Sequence, residues 1–443
     1  MAAETSFSRK LIAPILAVVG PAAVMTAGIM GAGSTVSLIT AGCYFKYSLL
    51  WTVLISLPVI VVCQDTAARI GAMAGGKGMM RIMAEQTHPV LMWIVVAPLL
   101  FTCLTANIGQ LGAMSAAVGG ILNTLTGSEL IAAQPPMALS YALFVGSALA
   151  SLLINATGGY KRTERILSFL LFVVLVSFAV VASKAFFRAG EIGEMLGGLI
   201  PRIPEDATAP GGAVRKGFVS FSAIFGGGVA ATAILSFPYF TTEGGYTLAN
   251  IRAQFRKHVL LLGVLFGVYS CVLLIAGGFA LHGLEGSAGF EGAGQLGRAL
   301  SVLGPAGPIL FSVGLLICAY TTLVVVAQLG AYFILDCLGR IWRFEKGNRL
   351  FLIFYTALIL IPALVGPVWK YPEILKVVIS MVVNSFVAPF AIILITVLIN
   401  KRSLAGELAA SPARNLFLAY SLAAAGLTCF VSAQGFYRYV MGG

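Results

Sequence analysis

Between Met25 and Ser37 the chain reads Met-Thr-Ala-Gly-Ile-Met-Gly-Ala-Gly-Ser-Thr-Val-Ser. Gly28, Gly31, Gly33, Ser34 and Thr35 fall in the middle of a long apolar segment, where each glycine weakens a helix by about 1 kcal/mol relative to alanine. The chemistry such a stretch offers is that of unwound backbone. Carbonyls and N–H groups are left free, a half-helix beginning near Gly33 presents its positive dipole end, and glycine lets a ligand come close. Much later in the chain Gly226, Gly227 and Gly228 lead into Val-Ala-Ala-Thr-Ala-Ile-Leu-Ser-Phe-Pro. A matched pair of Gly/Pro-interrupted apolar segments points to the central site of a transporter. Glycines at such spacing also serve close helix packing, and the second cluster shifts the balance towards a site.

Charged side chains are placed elsewhere. Asp65, Glu164, Glu243 and Asp336 fall within or at the ends of apolar segments, towards one side, and Glu373 borders another segment on the opposite side. His88, His258 and His282 also lie near segment ends. No carboxylate or imidazole is therefore expected at mid-membrane depth. Asp65 is expected to pair with Arg69, one helical turn away. Cysteines 43, 63, 103, 271, 318, 337 and 429 are scattered without a Cys-x-x-Cys spacing and read as small hydrophobes, so neither a disulfide nor a zinc site is expected. Gly75-Gly76-Lys77-Gly78 lacks the P-loop pattern, and Asn155-Ala-Thr, at a helix end on the basic side, is set aside as a glycosylation sequon. With no nucleophile–base pair and no metal cluster in view, an enzyme and a bound cofactor are not expected.

The elements that must position the two glycine clusters follow from composition. The chain has 443 residues, 59% hydrophobic and only 10% charged, against roughly 25% charged in soluble domains. It is read as an all-α integral membrane protein. Eleven spans are expected, at about 11–40, 47–71, 90–118, 137–157, 164–186, 216–241, 257–281, 302–335, 350–369, 374–399 and 415–439. The net charge of +12 forms no nucleic-acid patch, because 18 of the 28 Lys and Arg fall in alternate loops. By the positive-inside rule this puts the N-terminus in the cytoplasm and the C-terminus outside, in a plasma (inner) membrane and with no cleavable signal. The proline-containing stretch 184–216 reads as an external loop between two halves. Spans one to five (11–186) and six to ten (216–399) then have opposite orientations, each opening with a broken helix, and 415–439 is an added helix. That is a 5+5 inverted repeat.

Several segments in this order resemble the natural-resistance-associated macrophage protein (NRAMP) family of metal transporters, which have a LeuT-like fold. Gly42–Gly71 is similar to the family's second helix, Gly158–Ser177 to its basic fourth-to-fifth connection, and Ser385–Glu407 to its tenth helix and exit. The resemblance implies alternating-access transport at a midplane site between helices 1 and 6. Where the family has Asp-Pro-Gly-Asn, this chain has Gly31-Ala32-Gly33-Ser34; where it has Ala-x-x-Met, this chain has Ala231-Thr232-Ala233-Ile234. The histidine positions fall on Ser236 and Thr241. The Asp-x-x-Glu proton route becomes Asn107-x-x-Gln110, and polar positions of the tenth and eighth helices become Val387 and Tyr320.

On these departures the substrate site is expected at Gly31, Ala32, Gly33, Ser34, Thr35, Ala231, Thr232, Ile234, Ser236 and Tyr320, with Asn107 and Gln110 as a polar relay or as interhelical hydrogen-bond glue. No metal ligand is assigned, since a bare divalent cation would have only backbone carbonyls and hydroxyls to hold it. The favoured substrate is a small organic solute, a carboxylate or amino acid, its side chain lying against Ile234, Phe237, Tyr239 and Tyr320. The alternatives are a divalent cation, Mg2+-like or otherwise hydrated, and a non-transporting sensor of the same fold. The partners are the bilayer and a small molecule or ion.

Overall fold

The computed structural model describes residues 26, 28–156, 160–208, 214–245, 247–284, 292–304, 306–343, 347–406 and 409–441. Its helices are α1 (Ala32–Phe45), α2 (Leu50–Met73), the short α3 (Met79–Gln86), α4 (Pro89–Thr126), α5 (Met137–Ala156), α6 (Tyr160–Phe186) and α7 (Ala189–Gly197). There follow α8 (Gly217–Gly228), α9 (Ala231–Glu243), α10 (Ile251–His258), α11 (Phe266–Leu281), α12 (Ala306–Cys337), α13 (Arg349–Val365), α14 (Glu373–Asn400) and α15 (Pro412–Met441). Among the described residues nine helices are long and apolar enough to cross a membrane, or ten if the bent pair Phe172–Phe186 and Gly190–Gly197 is one span. The first expected span begins outside the described residues, and its described part has helical residues at Thr26, Gly28 and Ile29 followed by α1.

Two expectations change in detail. The stretch 184–216 is not a plain loop, because it holds α7 and a two-stranded antiparallel pair, β1 (Ala207–Thr208) and β2 (Val214–Arg215). It is tied down on α2 by Trp51, whose Nε1 donates to the Arg202 carbonyl at 3.0 Å. The seventh span starts earlier than the hydropathy suggested, since α10 runs into α11 through a π-helical stretch at Val259–Leu265.

Burial ranks the helices. The most hydrophobic part of Gly217–Glu243, which is α8 and α9 together, is 83% buried, whereas that of Pro412–Arg438 is only 28% buried. The broken helix is therefore central and α15 peripheral. Lipid tails give apolar helices no reason to associate, so closeness of approach has to hold the bundle. A Cβ on Gly42 would stand 2.2 Å from the Leu274 carbonyl oxygen, and one on Gly277 2.5 Å from that of Ile39, so α1 and α11 cross backbone to backbone. Gly226 brings α8 equally close to α14, where a Cβ would lie 2.0 Å from the Met381 carbonyl oxygen.

Candidate functional site: a cavity between two helix breaks

The first helix breaks at Met30–Gly31. Gly31 has φ −72° and ψ −175°, an extended cap from which α1 starts. The sixth breaks at Val229–Ala230, where Val229 N–H still bonds back to Phe225 at 2.7 Å and extended Ala230 caps α9. Each break leaves the first N–H groups of one half-helix and the last carbonyls of the other without helical partners.

On the α1 side the protein satisfies several of those carbonyls itself. Ser34 Oγ lies 2.5 Å from the Ile29 oxygen and 3.2 Å from that of Gly227, so its one proton is shared between the two breaks. Thr35 Oγ1 donates to the Gly31 oxygen at 2.8 Å. The Tyr269 hydroxyl, from α11, stands 3.1 Å from the Met30 oxygen and 2.5 Å from Thr35 Oγ1. Thr35 is thus a strut of the break and does not line the cavity.

Between the breaks lies a cavity of about 50 Å³. By the roughly 10–15 Å³ each water requires, it has room for about three or four water molecules. Gly31, Gly33, Ser34, Gln110, Gly227 and Thr232 line it, joined by three residues whose role the sequence did not disclose: Thr322 of α12, and Met381 and Asn384 of α14. A Cβ on Gly33 would stand 2.5 Å from Met381 Sδ, so the glycine makes the space in which the thioether sits. Gln110 is fully buried with neither amide atom hydrogen-bonded, and Asn384 is 4% exposed with its Oδ1 equally unpartnered. Buried amides left this way are costly unless something else occupies their lone pairs and protons.

The other expected site residues go elsewhere. Ala32, Ala231, Ile234 and Ser236 are buried in the packing around the breaks and are not among the lining residues; Ser236 Oγ donates to the Ala233 carbonyl at 2.9 Å. Tyr320 lies away from the cavity, with its hydroxyl on Asn155 Oδ1 at 3.1 Å. The expected aromatic pocket is not formed. Phe237 packs edge-on against His258, and Tyr239 donates to Asp336 Oδ2 at 2.7 Å. Asn107 and Gln110 also part company, because Asn107 Nδ2 donates to the Leu358 carbonyl of α13 at 2.7 Å while Gln110 faces the cavity. The polar residue that α14 contributes is Asn384, one turn before Val387.

Among the described residues no ionisable side chain lines the cavity. Asp65 is held by Arg69 (2.8 Å), Arg414 (2.7 Å) and His258 (3.2 Å), and Glu373 pairs with the buried Lys376 at 3.0 Å. Glu243 accepts from Tyr332 at 2.7 Å. Among the described residues no group of three His, Cys, Asp or Glu could hold a metal ion. The arrangement can bind by dipoles and one polarisable sulfur.

The chain is 22% identical over 396 residues to the divalent metal cation transporter MntH of Mycobacterium leprae, covering 88% of this chain and 84% of that one. MntH of Deinococcus radiodurans is likewise 22% identical, over 89% and 84% of the two chains. A single-site mutant of the Eremococcus coleocola manganese transporter superposes with a TM-score of 0.71 at 16% identity, covering 95% of this chain and 87% of that chain. MhsT in complex with L-phenylalanine superposes at 0.57 with 17% identity, over 92% and 98% of the chains. The fold is thus the LeuT-like one, with first and sixth helices discontinuous. The family model described as natural resistance-associated macrophage protein-like matches residues 22–433, and the chain belongs to that family.

Proposed function

We propose that this NRAMP-family secondary transporter carries a small, partly dehydrated divalent metal ion, held at the midplane entirely by neutral donors. The observation that carries the reading is the convergence of the buried Gln110 amide and Asn384 Oδ1, all without partners, and the Met381 thioether on one small cavity between the helix breaks. Thr232, Thr322 and Ser34 hydroxyls and the Gly227 carbonyl complete a donor set of oxygen and one sulfur. The names of the relatives support a metal substrate. The organic-solute reading loses the aromatic pocket it required, and the cavity is small for an amino acid. A thioether favours softer ions over Mg2+ and Ca2+. The position of Met381 therefore supplies on α14 what the Ala231-to-Ile234 motif lacks on α9.

The direction of the basic loops supports a cytoplasmic N-terminus. Since no titratable group among the described residues lines the site, each ion carries its full charge across, worth about 2.3 kcal/mol per charge per 100 mV. In proteoliposomes, Mn2+ or Cd2+ uptake is expected to follow an inside-negative potential and to acidify nothing. The Met381→Leu variant, close in volume, is expected to fold and to lose its preference for Cd2+ over Mg2+ by about tenfold or more. Saturable uptake of an amino acid or carboxylate with no metal uptake would overturn the proposal.

A further inference from the structure

On the outer face of the bundle, α2, the π-helical stretch and the start of α15 leave a groove of about 560 Å³. It is walled by Leu54, Leu57, Val61, Val259 and Phe417, and Leu54, Val259 and Phe417 are exposed at 47%, 39% and 47%. These are spanning helices, so the wall lies at the depth of lipid tails. The π-helical stretch Val259–Leu265 lines the groove with Val259 and Gly263, and the glycine brings no side chain into it.

One end of the groove is basic. Arg414 forms part of the lining and lies over the Phe255 ring at 6.0 Å, and Phe255 is followed along α10 by Arg256 and Lys257. Arg414 reaches inward to Asp65 Oδ2 (2.7 Å) and Thr66 Oγ1 (2.9 Å). A guanidinium has five N–H donors, so these contacts leave others for a ligand. Arg69 also pairs with Asp65. The cluster thus sets one carboxylate against two guanidiniums and keeps an excess positive charge at the mouth.

We propose that this groove is a binding site for an anionic glycerophospholipid, one acyl chain lying along α2 and the π-helical stretch and the phosphate on Arg414 and Arg256. Complementarity of charge selects the occupant: a zwitterionic lipid fills the apolar part equally well but brings its own cation to a mouth that is already positive. The site reaches the transport machinery through Asp65. That carboxylate also contacts His258 at 3.2 Å, and His258 packs edge-on against Phe237 of the half-helix α9. A phosphate that takes a share of Arg414 loosens the tie between α2 and α15 and leaves Asp65 to Arg69 and His258.

The test uses the full-length protein in vesicles of phosphatidylcholine with and without phosphatidylglycerol, extracted gently and weighed by native mass spectrometry. Wild type is expected to retain phosphatidylglycerol preferentially. Arg256→Gln is expected to lower that preference about fivefold, in keeping with the loss of one basic side chain at an anionic surface, and Val259→Trp, which fills the groove, to abolish retention. Both substitutions leave the Asp65 contacts in place, whereas Arg414→Gln would unbalance them and can fail for reasons of folding. Equal retention of the two lipids by wild type, or undiminished phosphatidylglycerol on the Val259→Trp protein, overturns the proposal. Neither result depends on which solute is carried.

Discussion

Tolerance for a methyl group changes sharply along the residues of the two breaks. A Cβ on Gly28 would have Val325 Cγ1 as its nearest neighbour at 3.6 Å, an ordinary contact. On Gly31 it would lie 1.9 Å from Thr322 Oγ1, which is itself held on the Cys318 carbonyl at 2.9 Å. On Gly33 it meets the movable end of Met381, and on Gly226 it meets backbone, at 2.0 Å from the Met381 oxygen. Gly28→Ala should therefore leave melting in detergent unchanged or slightly raised, since alanine favours helix. Gly33→Ala should melt near wild type yet lose metal uptake, because the thioether must leave its place. Gly226→Ala should lower stability by about 1–3 kcal/mol, the range for overpacking. If Gly33→Ala transports normally, Gly33 serves packing alone. The glycines themselves could be read from the sequence. Their partners could not, because Met381 and Asn384 sit in an apolar run whose orientation about its axis only packing decides; Asn384, an amide in mid-span, was the one signal available.

For the elements, the question is what keeps a half-helix from rewinding across its break. Around Met30–Gly31 the answer is a set of hydroxyls, from Ser34 and Thr35 on α1 itself and from Tyr269 on α11. Glycine-rich segments announced that both helices would be interrupted, and the positions found, Met30–Gly31 and Val229–Ala230, fall inside the two expected stretches. Tyr269 was not foreseen, since a tyrosine within an apolar span looks like any other lipid or core aromatic until its hydroxyl has a partner. Tyr269→Phe removes the contact to the Met30 carbonyl while keeping the ring stacked on Phe266, whose centroid lies 6.2 Å away. The expected cost is about 1 kcal/mol in stability, the net worth of a hydrogen bond, seen as a small drop in melting temperature. Transport should change more than stability does, because a freed carbonyl at the break is available to the ion or to the preceding turn. A Tyr269→Phe protein with unchanged metal affinity and unchanged turnover would show the hydroxyl to be incidental.

At the scale of the whole molecule, alternating access requires that one end of the bundle be closed while the other opens. The described structure shows how the basic end is fastened. Asp336 of α12 accepts from the Tyr239 hydroxyl of α9 at 2.7 Å and from the Met80 and Arg81 N–H groups of α3 at 2.9 and 3.2 Å. One carboxylate thus joins the half-helix α9, the long helix α12 and the N-terminus of α3, where a negative charge is favoured. On the exposed side of α3, the Lys77 ammonium and, with it, Arg81 hold the Glu85 carboxyl below its ordinary range. Asp336 was legible only as a charge near a span end; that it bridges three elements depends on tertiary packing. These contacts hold α3, α9 and α12 together at this end, so their loss should shift the population towards a form open there. In the Asp336→Ala protein the Arg81 N–H and the Tyr239 phenol lose their acceptor, while the Met80 N–H keeps only the longer contact to the Tyr239 hydroxyl at 3.3 Å. With each orphaned group costing about 1–3 kcal/mol, a shift of tenfold or more is expected. It can be read by placing a cysteine at Thr232, in the cavity lining, and labelling from the basic side with an impermeant maleimide. The rate should be compared with that of Asp336→Ala retaining Thr232, which corrects for the native thiols. Faster labelling at that position, with slower net uptake, is the expected pattern. Labelling at the wild-type rate would mean that closure at the basic end rests on the helix packing around Tyr239, whose ring stacks on Tyr332 at 5.4 Å and meets Trp342 at 5.0 Å, and that the carboxylate only anchors α3.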